Sequence, residues 1–591
     1  MTQLTSAGEP RRRLRHGIFI TIGVLGSLQL FYYFGWSGRT SADALQSPLV
    51  AHPPDTVETD RGCILLDRTF TSATQPDFTR TSIKQWTDCR TLDGVIDGWK
   101  VQHCTLPGSN PIQVEGIPVK DSPSCYPGGY FRIQRIQPVE GAEILEGNSC
   151  RLKTGVGLSE DPATDKYATS FLGPDTFRIA LVGPEKLSLM QQQSLGECTY
   201  AIPYLITRPG RFWVQRIVHM YQGYDALNEK ASINWSPEYL GKDILLSIGT
   251  GSQQQQQRQH YYFDVCQHCV AWVTMDEAQG LAGTNDICSR APATQSRQYG
   301  IYAARTPIES VRQAVGHPYH WIPARPRCRF HPAQTAFEPI VDADSDEIKA
   351  EKADAAKCLE IPRSIYFVGD SHLRTLFSGV MQRLQGRSGA IDTKIQDQRS
   401  HVLTAGKVVA RSDFDATLND TLNRINYSVY DEQEESVEDL SALEEVDTVV
   451  LGLSMFSDQL TTVQYMDRVR GVLEGLAQVR KARRLASGGD LLDRMNSLKV
   501  IWMGMPAWVD TTGEATGWTT NNKILYLNKL VDGLVDTINS QTGGQGMIDR
   551  LSGFEITVPF KNSTQDNIHY VSEATVDGFS AELIHKLDLC S

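Results

Sequence analysis

The stretch Ser364–Phe377, "SIYFVGDSHLRTLF", decides the reading of the chain. Its first half is β-branched and aromatic, the composition of a buried strand. Beyond it, Leu373, Leu376, Phe377, Val380, Met381 and Leu384 stand at i, i+3, i+4, i+7, i+8 and i+11, one face of a helix. Gly386 ends that pattern. Gly369, Asp370, Ser371 and His372 occupy the junction of the two. A serine at that place either caps the helix or serves as a nucleophile with the positive end of the helix behind it.

The residues that follow repeat the strand–helix alternation. Asp447–Ser454, "DTVVLGLS", and Leu498–Gly504, "LKVIWMG", read as two further buried strands. Val463, Met466, Val469, Val472, Leu473 and Leu476 mark a helix after the first. Ile524, Leu527, Leu530, Leu534 and Ile538 mark one after the second. "FEITVPF", from Phe554 to Phe560, reads as strand-like, and a last helix is expected over 572–587, with His585 on its surface. The alternation predicts an α/β domain over 360–591: a doubly wound parallel sheet with helices on both faces, in three layers. Sites in such sheets lie at the carboxyl ends of the strands, where Ser371 falls.

Near the C-terminus, "STQDNIHYVS" places Asp566 three residues before His569, so that one turn carries both side chains on the same side. A carboxylate that orients an imidazole, and an imidazole that activates a serine, make a nucleophilic triad. Ser371, His569 and Asp566 are the candidate catalytic residues. Asp370 reads as a brace for the turn, and His372 as a neighbour of the nucleophile rather than the base. Ser454 lacks the second glycine of a nucleophile elbow. Trp508 and Trp518 follow the third strand, and either stack on sugar rings or pack in the core.

Upstream the character differs. Arg11, Arg12, Arg13 and Arg15 precede the uncharged run "GIFITIGVLGSLQLFYYFGW". The run predicts a cytoplasmic tail over 1–16 and a membrane-spanning signal anchor over 17–37, with the rest of the chain lumenal. A cleaved signal peptide, with Ala42-Asp43-Ala44 at its end, is the alternative. All 12 cysteines lie beyond that run, which fits an oxidising compartment. Cys266-Gln-His-Cys269 resembles half a zinc site, but no second pair at zinc-finger spacing follows it, and disulfides are the expected state. No metal site is expected. Asn234, Asn419, Asn426 and Asn562 begin glycosylation sequons. Residues 38–160 read as a stem and a cysteine-containing region, and residues 161–345 as a β-rich, immunoglobulin-like sandwich. The net charge of −12 excludes a nucleic-acid partner.

Gly369-Asp370-Ser371 after a strand, "GDSHLRTLF", and "DNIHY" with its Asp-x-x-His resemble the first and last sequence blocks of the PC-esterase branch of the SGNH/GDSL superfamily. That branch includes trichome-birefringence-like proteins, sialate and capsule O-acetyltransferases and NXPE proteins. The resemblance covers about residues 360–591. It implies a single-pass type II Golgi membrane protein that transfers acetyl groups to a glycan or polysaccharide through an acetyl-serine. In that reading Ser371 is the nucleophile, His569 the base and Asp566 its orienter. An acetyl donor, acetyl-CoA or another acetyl ester, is a co-substrate, and no cofactor is bound. A separate donor transporter would be a partner. Carbohydrate O-acetylesterase chemistry with the same triad, or a catalytically silent glycan-binding module, are the other readings. Where relatives carry an oxyanion asparagine or Gly-x-His, this chain has "LGLSMFSD", with Gly452 and Ser454 as stand-ins. Gly369 and Arg374 complete the oxyanion and substrate candidates, although Arg374 equally suits pairing with a surface carboxylate.

Overall fold

The computed structural model describes residues 89–92, 99–105, 128–136, 161–167, 172–173, 175–206, 210–222, 244–246, 262–265, 300–304, 319–323, 353, 356–387, 391, 400–418, 421–422, 446–453, 460–486, 498–508, 521–541, 547–560, 564 and 568–589. Its first part is β-rich: β1 (Cys89–Thr91), β2 (Trp99–Thr105), β3 (Gly128–Arg135), α1 (Pro162–Tyr167), β4 (Asp175–Val182), β5 (Glu185–Leu189), β6 (Gln193–Gly196), β7 (Thr199–Leu205), β8 (Gly210–Gln222), β9 (Ile244–Leu246), β10 (Tyr262–Val265), β11 (Gly300–Ala304) and β12 (Tyr319–Pro323). These strands form two antiparallel sheets, β1-β2-β3-β7-β6 and β10-β8-β4-β5-β11-β12, with β9 on β8. Alternate residues of both sheets meet in one core. Phe131, Ile133, Tyr200 and Ile202 come from the first sheet, and Phe177, Ile179, Phe212 and Ile217 from the second. A disulfide joins Cys89 of β1 to Cys104 of β2.

The second part comprises β13 (Arg363–Gly369), α2 (Ser371–Leu384), β14 (Ser400–Ala405), β15 (Val408–Phe414), β16 (Thr448–Gly452), α3 (Thr462–Ala486), β17 (Lys499–Met503), α4 (Asn521–Gln541), β18 (Ile548–Leu551), α5 (Gly553–Thr557), a 3₁₀ turn (Val558–Phe560) and α6 (Glu573–Leu587). Its sheet runs β14-β15-β13-β16-β17-β18. The apolar runs of β13, β16 and β17 are continuous because both faces are covered. Ile365 and Phe367 of β13 join Val450, Ile501, α2 and α6 on one face. Tyr366 and Val368 join Val449, Trp502, α3 and α4 on the other. The chain winds outward from β13 in both directions, so a crevice opens at the carboxyl ends of β13 and β16.

Two features correct the fold expected from sequence. The sheet is mixed, not wholly parallel: β14 runs antiparallel to β15, while the other pairs are parallel. The cause is local. Ala405 pairs with Val408 across the two residues Gly406 and Lys407, a connection only antiparallel strands can make. Gly406 adopts φ +57, the left-handed region that such a turn needs.

Nor are the upstream strands a self-contained immunoglobulin-like sandwich. Sheets of five and seven strands are built, and the second reaches into the α/β core. Tyr302, Tyr319 and Trp321 of β11 and β12 are buried in the same cluster as Phe367 and Phe377. The Tyr302 hydroxyl lies 3.0 Å from the Ile556 carbonyl and 3.3 Å from that of Ala574. Trp321 Nε1–H donates to Glu582 at 3.1 Å. Large aromatics with one polar handle bury most area where that handle finds a partner, and here the partners lie on α5 and α6.

Among the described residues no helix is long and apolar enough to cross a membrane, and the anchor expected at 17–37 lies outside them.

Two smaller differences concern single elements. "FEITVPF" is helical, forming most of α5 and the 3₁₀ turn, with Thr557 Oγ1 donating back to the Gly553 carbonyl at 2.7 Å. His585 is buried on α6 rather than at the surface.

Candidate active site

Ser371 is the first residue of α2, directly beyond the carboxyl end of β13. Asp370 is the N-cap, with extended backbone (φ −84, ψ −167), and its buried carboxylate accepts the His372 N–H at 3.0 Å. Such a cap is worth about 1 kcal/mol and fixes where the helix begins. Ser371 is thereby held in the first turn, where the helix N–H groups and dipole favour negative charge. It retains 8% of its surface, so the site sits in a recess rather than in a sealed core. A Cβ on Gly369 would lie 2.3 Å from the Gly452 carbonyl oxygen. A side chain there would force β13 and β16 apart at the end where the crevice opens.

The segment before α6 packs against this turn from 196 residues away: His372 Nε2 lies 3.1 Å from the Ile568 carbonyl. A carbonyl offers only lone pairs, so Nε2 carries the hydrogen and donates it. The other ring nitrogen, Nδ1, stands 3.8 Å from Asp370. The next residue, His569, is partly buried, and its ring lies 5.4 Å from that of His372, tilted by 40°. His372 is thus occupied in joining the two segments, while His569 stands beside the serine-bearing turn.

A third segment packs against the one that carries His569. Residues 504–508 follow β17 and are clasped by α4. Asn528 accepts from the Met505 N–H at 2.8 Å and donates to the Met505 carbonyl at 3.2 Å. Asn521 does the same for Trp508, at 2.7 and 2.9 Å. Tyr570 donates to the Ala507 carbonyl at 2.6 Å, which ties this loop to the His569 segment. Burial raises the Tyr570 phenol well above its ordinary value, so it remains a neutral donor. Beside the serine turn runs a narrow, mostly apolar cleft lined by His372, Thr375, Pro506, Tyr570 and Phe579, among others; Ser371 and His569 are not among its lining residues. Tyr465, buried beneath the turn, is also raised, first by burial and then by the nearby Asp370 carboxylate.

Of the residues expected from sequence, Ser371, Gly369, Gly452 and His569 gather at this edge. Arg374 lies one turn along α2, with its guanidinium 5.4 Å from the ring centre of Phe414. Trp508 is partly buried against the core formed with α3 and α4. Asp566, Ser454, Trp518, Asn234, Asn419, Asn426 and Asn562 lie outside the described residues, as do Cys266 and Cys269. Among the described residues no group of three or more His, Cys, Asp or Glu could hold a metal ion. Sequence reasoning passed over Asn521, Asn528 and Tyr570. The asparagines stand seven apart on one side of a helix, which marks a shared face but not the loop they clasp, and Tyr570 carries no signal of its own.

No family model matches the chain, and no curated protein matches its sequence.

Proposed function

We propose that the chain is a serine-dependent acyl transferase that moves acetyl groups onto a glycan or polysaccharide hydroxyl. One observation carries the proposal: a C-terminal histidine, His569, is packed against the helix turn that begins with Ser371. The resemblance of "GDSHLRTLF" and "DNIHY" to PC-esterase sequence blocks supports the same roles and supplies the third, Asp566 as orienter of His569.

Ser371 Oγ attacks the acetyl carbonyl carbon as its proton passes to His569. The oxyanion is stabilised by the first turn of α2. The donor leaves with the proton from His569, and an acetyl-serine remains. A sugar hydroxyl then attacks that ester and gives its proton to His569, and Ser371 leaves with it as a hydroxyl. The acetyl group ends on the acceptor oxygen. The donor is an acetyl ester or thioester supplied by a separate partner. The Cys89–Cys104 disulfide supports an oxidising compartment, so we assign the reaction to the lumen of the secretory pathway, in the Golgi.

The test incubates the purified chain with an activated acetyl ester, with and without polysaccharide acceptors. Acetylated acceptor in the wild type, and none with Ser371→Ala or His569→Ala, is the expected result. Free acetate at the same rate whatever the acceptor would assign hydrolysis instead. Consumption of donor that persists in both variants would overturn the proposal.

A further inference from the structure

Lys186 lies on β5, away from the serine turn, beside β4 and β11. Its ammonium nitrogen stands 4.2 Å from the ring centre of Phe560 and 6.0 Å from that of Tyr319. Phe560 ends the 3₁₀ turn and itself packs edge-on against Tyr302, the residue paired with Lys186 across β11. The amine is therefore seated between aromatic faces supplied by two separate elements, the 3₁₀ turn and β12. Among the described residues no carboxylate lies within ion-pair distance of it. The residue is only partly buried.

We propose that Lys186 is an acylation site, which takes an acyl group directly from activated acyl esters or thioesters. The neutral amine attacks the acyl carbon and forms an amide bond. The donor's carbon–oxygen or carbon–sulfur bond breaks, and its electron pair leaves with the alkoxide or thiolate. The surplus proton on the amine passes to solvent. The product is a neutral amide whose apolar acyl group lies against the two rings.

The surroundings suit this chemistry. Burial lowers the amine from 10.5 to about 8, and no neighbouring charge opposes that shift. The groups that face it are uncharged: Val182 from β4, Phe560 from the turn, and Tyr302 and Tyr319, whose phenols burial holds above 10.0. Glu185 adjoins Lys186 along β5 and so lies on the opposite face. Asp577 and Glu582 act on Tyr302 rather than on the lysine. Attraction to the ring faces favours the ammonium and offsets part of the burial effect. At pH 7.4 a pKa near 8 leaves about one amine in five neutral, against about one in a thousand for an ordinary lysine.

The experiment treats the full chain with a limiting amount of N-hydroxysuccinimidyl acetate from pH 6.5 to 10 and follows each lysine by peptide mass. Lys407, exposed and paired with Glu360, is the internal reference. The expected result is acetylation of Lys186 at least about fivefold faster than Lys407 at pH 7.4, with a rate that levels off near pH 8. Phe560→Leu keeps the seat apolar but removes a ring face that favours the ammonium, so the plateau should stay at or below pH 8. A wild-type Lys186 no faster than Lys407, or a rate still rising above pH 10, would overturn the proposal whatever Phe560→Leu does to folding.

Discussion

Asp370 and His372 flank the proposed nucleophile, and each has a role separable from the chemistry. Replacing Asp370 with Ala removes the N-cap and should cost about 1 kcal/mol in denaturant unfolding. His372→Gln keeps an N–H able to reach the Ile568 carbonyl, so acyl transfer should stay within about tenfold of wild type. If His372 were itself the base, the same change would cost about 10³-fold or more, and a steady-state assay separates the two. The residues of the turn were legible in sequence because their structure is local: an apolar strand, a capping aspartate and a helical stripe follow each other without a gap. His569 was legible only as half of a spacing pattern. The clasp of Asn521, Asn528 and Tyr570 was not legible, because it depends on how α4 and α6 face a loop far away in the chain.

At the scale of elements, the strongest test concerns α2 and α6. Arg383 of α2 meets Asp577 of α6 at 2.6–2.7 Å through two nitrogens, and both side chains are buried. Arg383→Met leaves that carboxylate buried and unpaired by its arginine, and should cost about 3–5 kcal/mol of stability. Chemical denaturation measures it. A loss below about 1 kcal/mol would show that the pair does not lock the two helices. At the β14–β15 hairpin, Gly406→Ala should cost at least about 1 kcal/mol, since φ is +57 and its Cβ would lie 2.6 Å from the Leu359 carbonyl oxygen. Helices α2, α3 and α4 were legible because each buries a stripe against a sheet covered on both faces. The hairpin was not. β14 lies at an edge, and Val402 remains 60% exposed; only His401, Leu403 and Ala405 turn inward, too short an alternation to stand out as an apolar stripe.

For the whole molecule, the informative contact is Glu582, buried on α6 and shared by Trp321 of the antiparallel sheet and Ser552 beside β18. Burial raises its pKa, with Lys586 and the hydrogen bonds to Ser552 and Trp321 opposing. The folded chain therefore holds that proton more tightly than the unfolded chain does. The stability this provides is complete below the ordinary carboxylate value and is lost as pH rises through the raised one. Relative to Glu582→Gln, the wild type should lose stability from about pH 4 upward, by up to about 1.4 kcal/mol for each tenfold elevation of the proton affinity. Urea midpoints of both proteins between pH 4 and 8 measure it, and a difference that grows in favour of the wild type would contradict the assignment. The two parts of the chain were legible as a β-rich region followed by an α/β region. Their shared core was not, because an aromatic strand such as "YHWIP" announces burial but not the surface it will be buried against.

The central claim is that Ser371 is a nucleophile served by His569. The most direct measurement exposes the folded chain to a fluorophosphonate and reads its intact mass and the modified peptide, beside Ser371→Ala and His569→Ala. The account predicts one adduct, on Ser371, in the wild type, and none in either variant. A folded wild-type chain that takes no adduct, or an adduct on another residue, would contradict it.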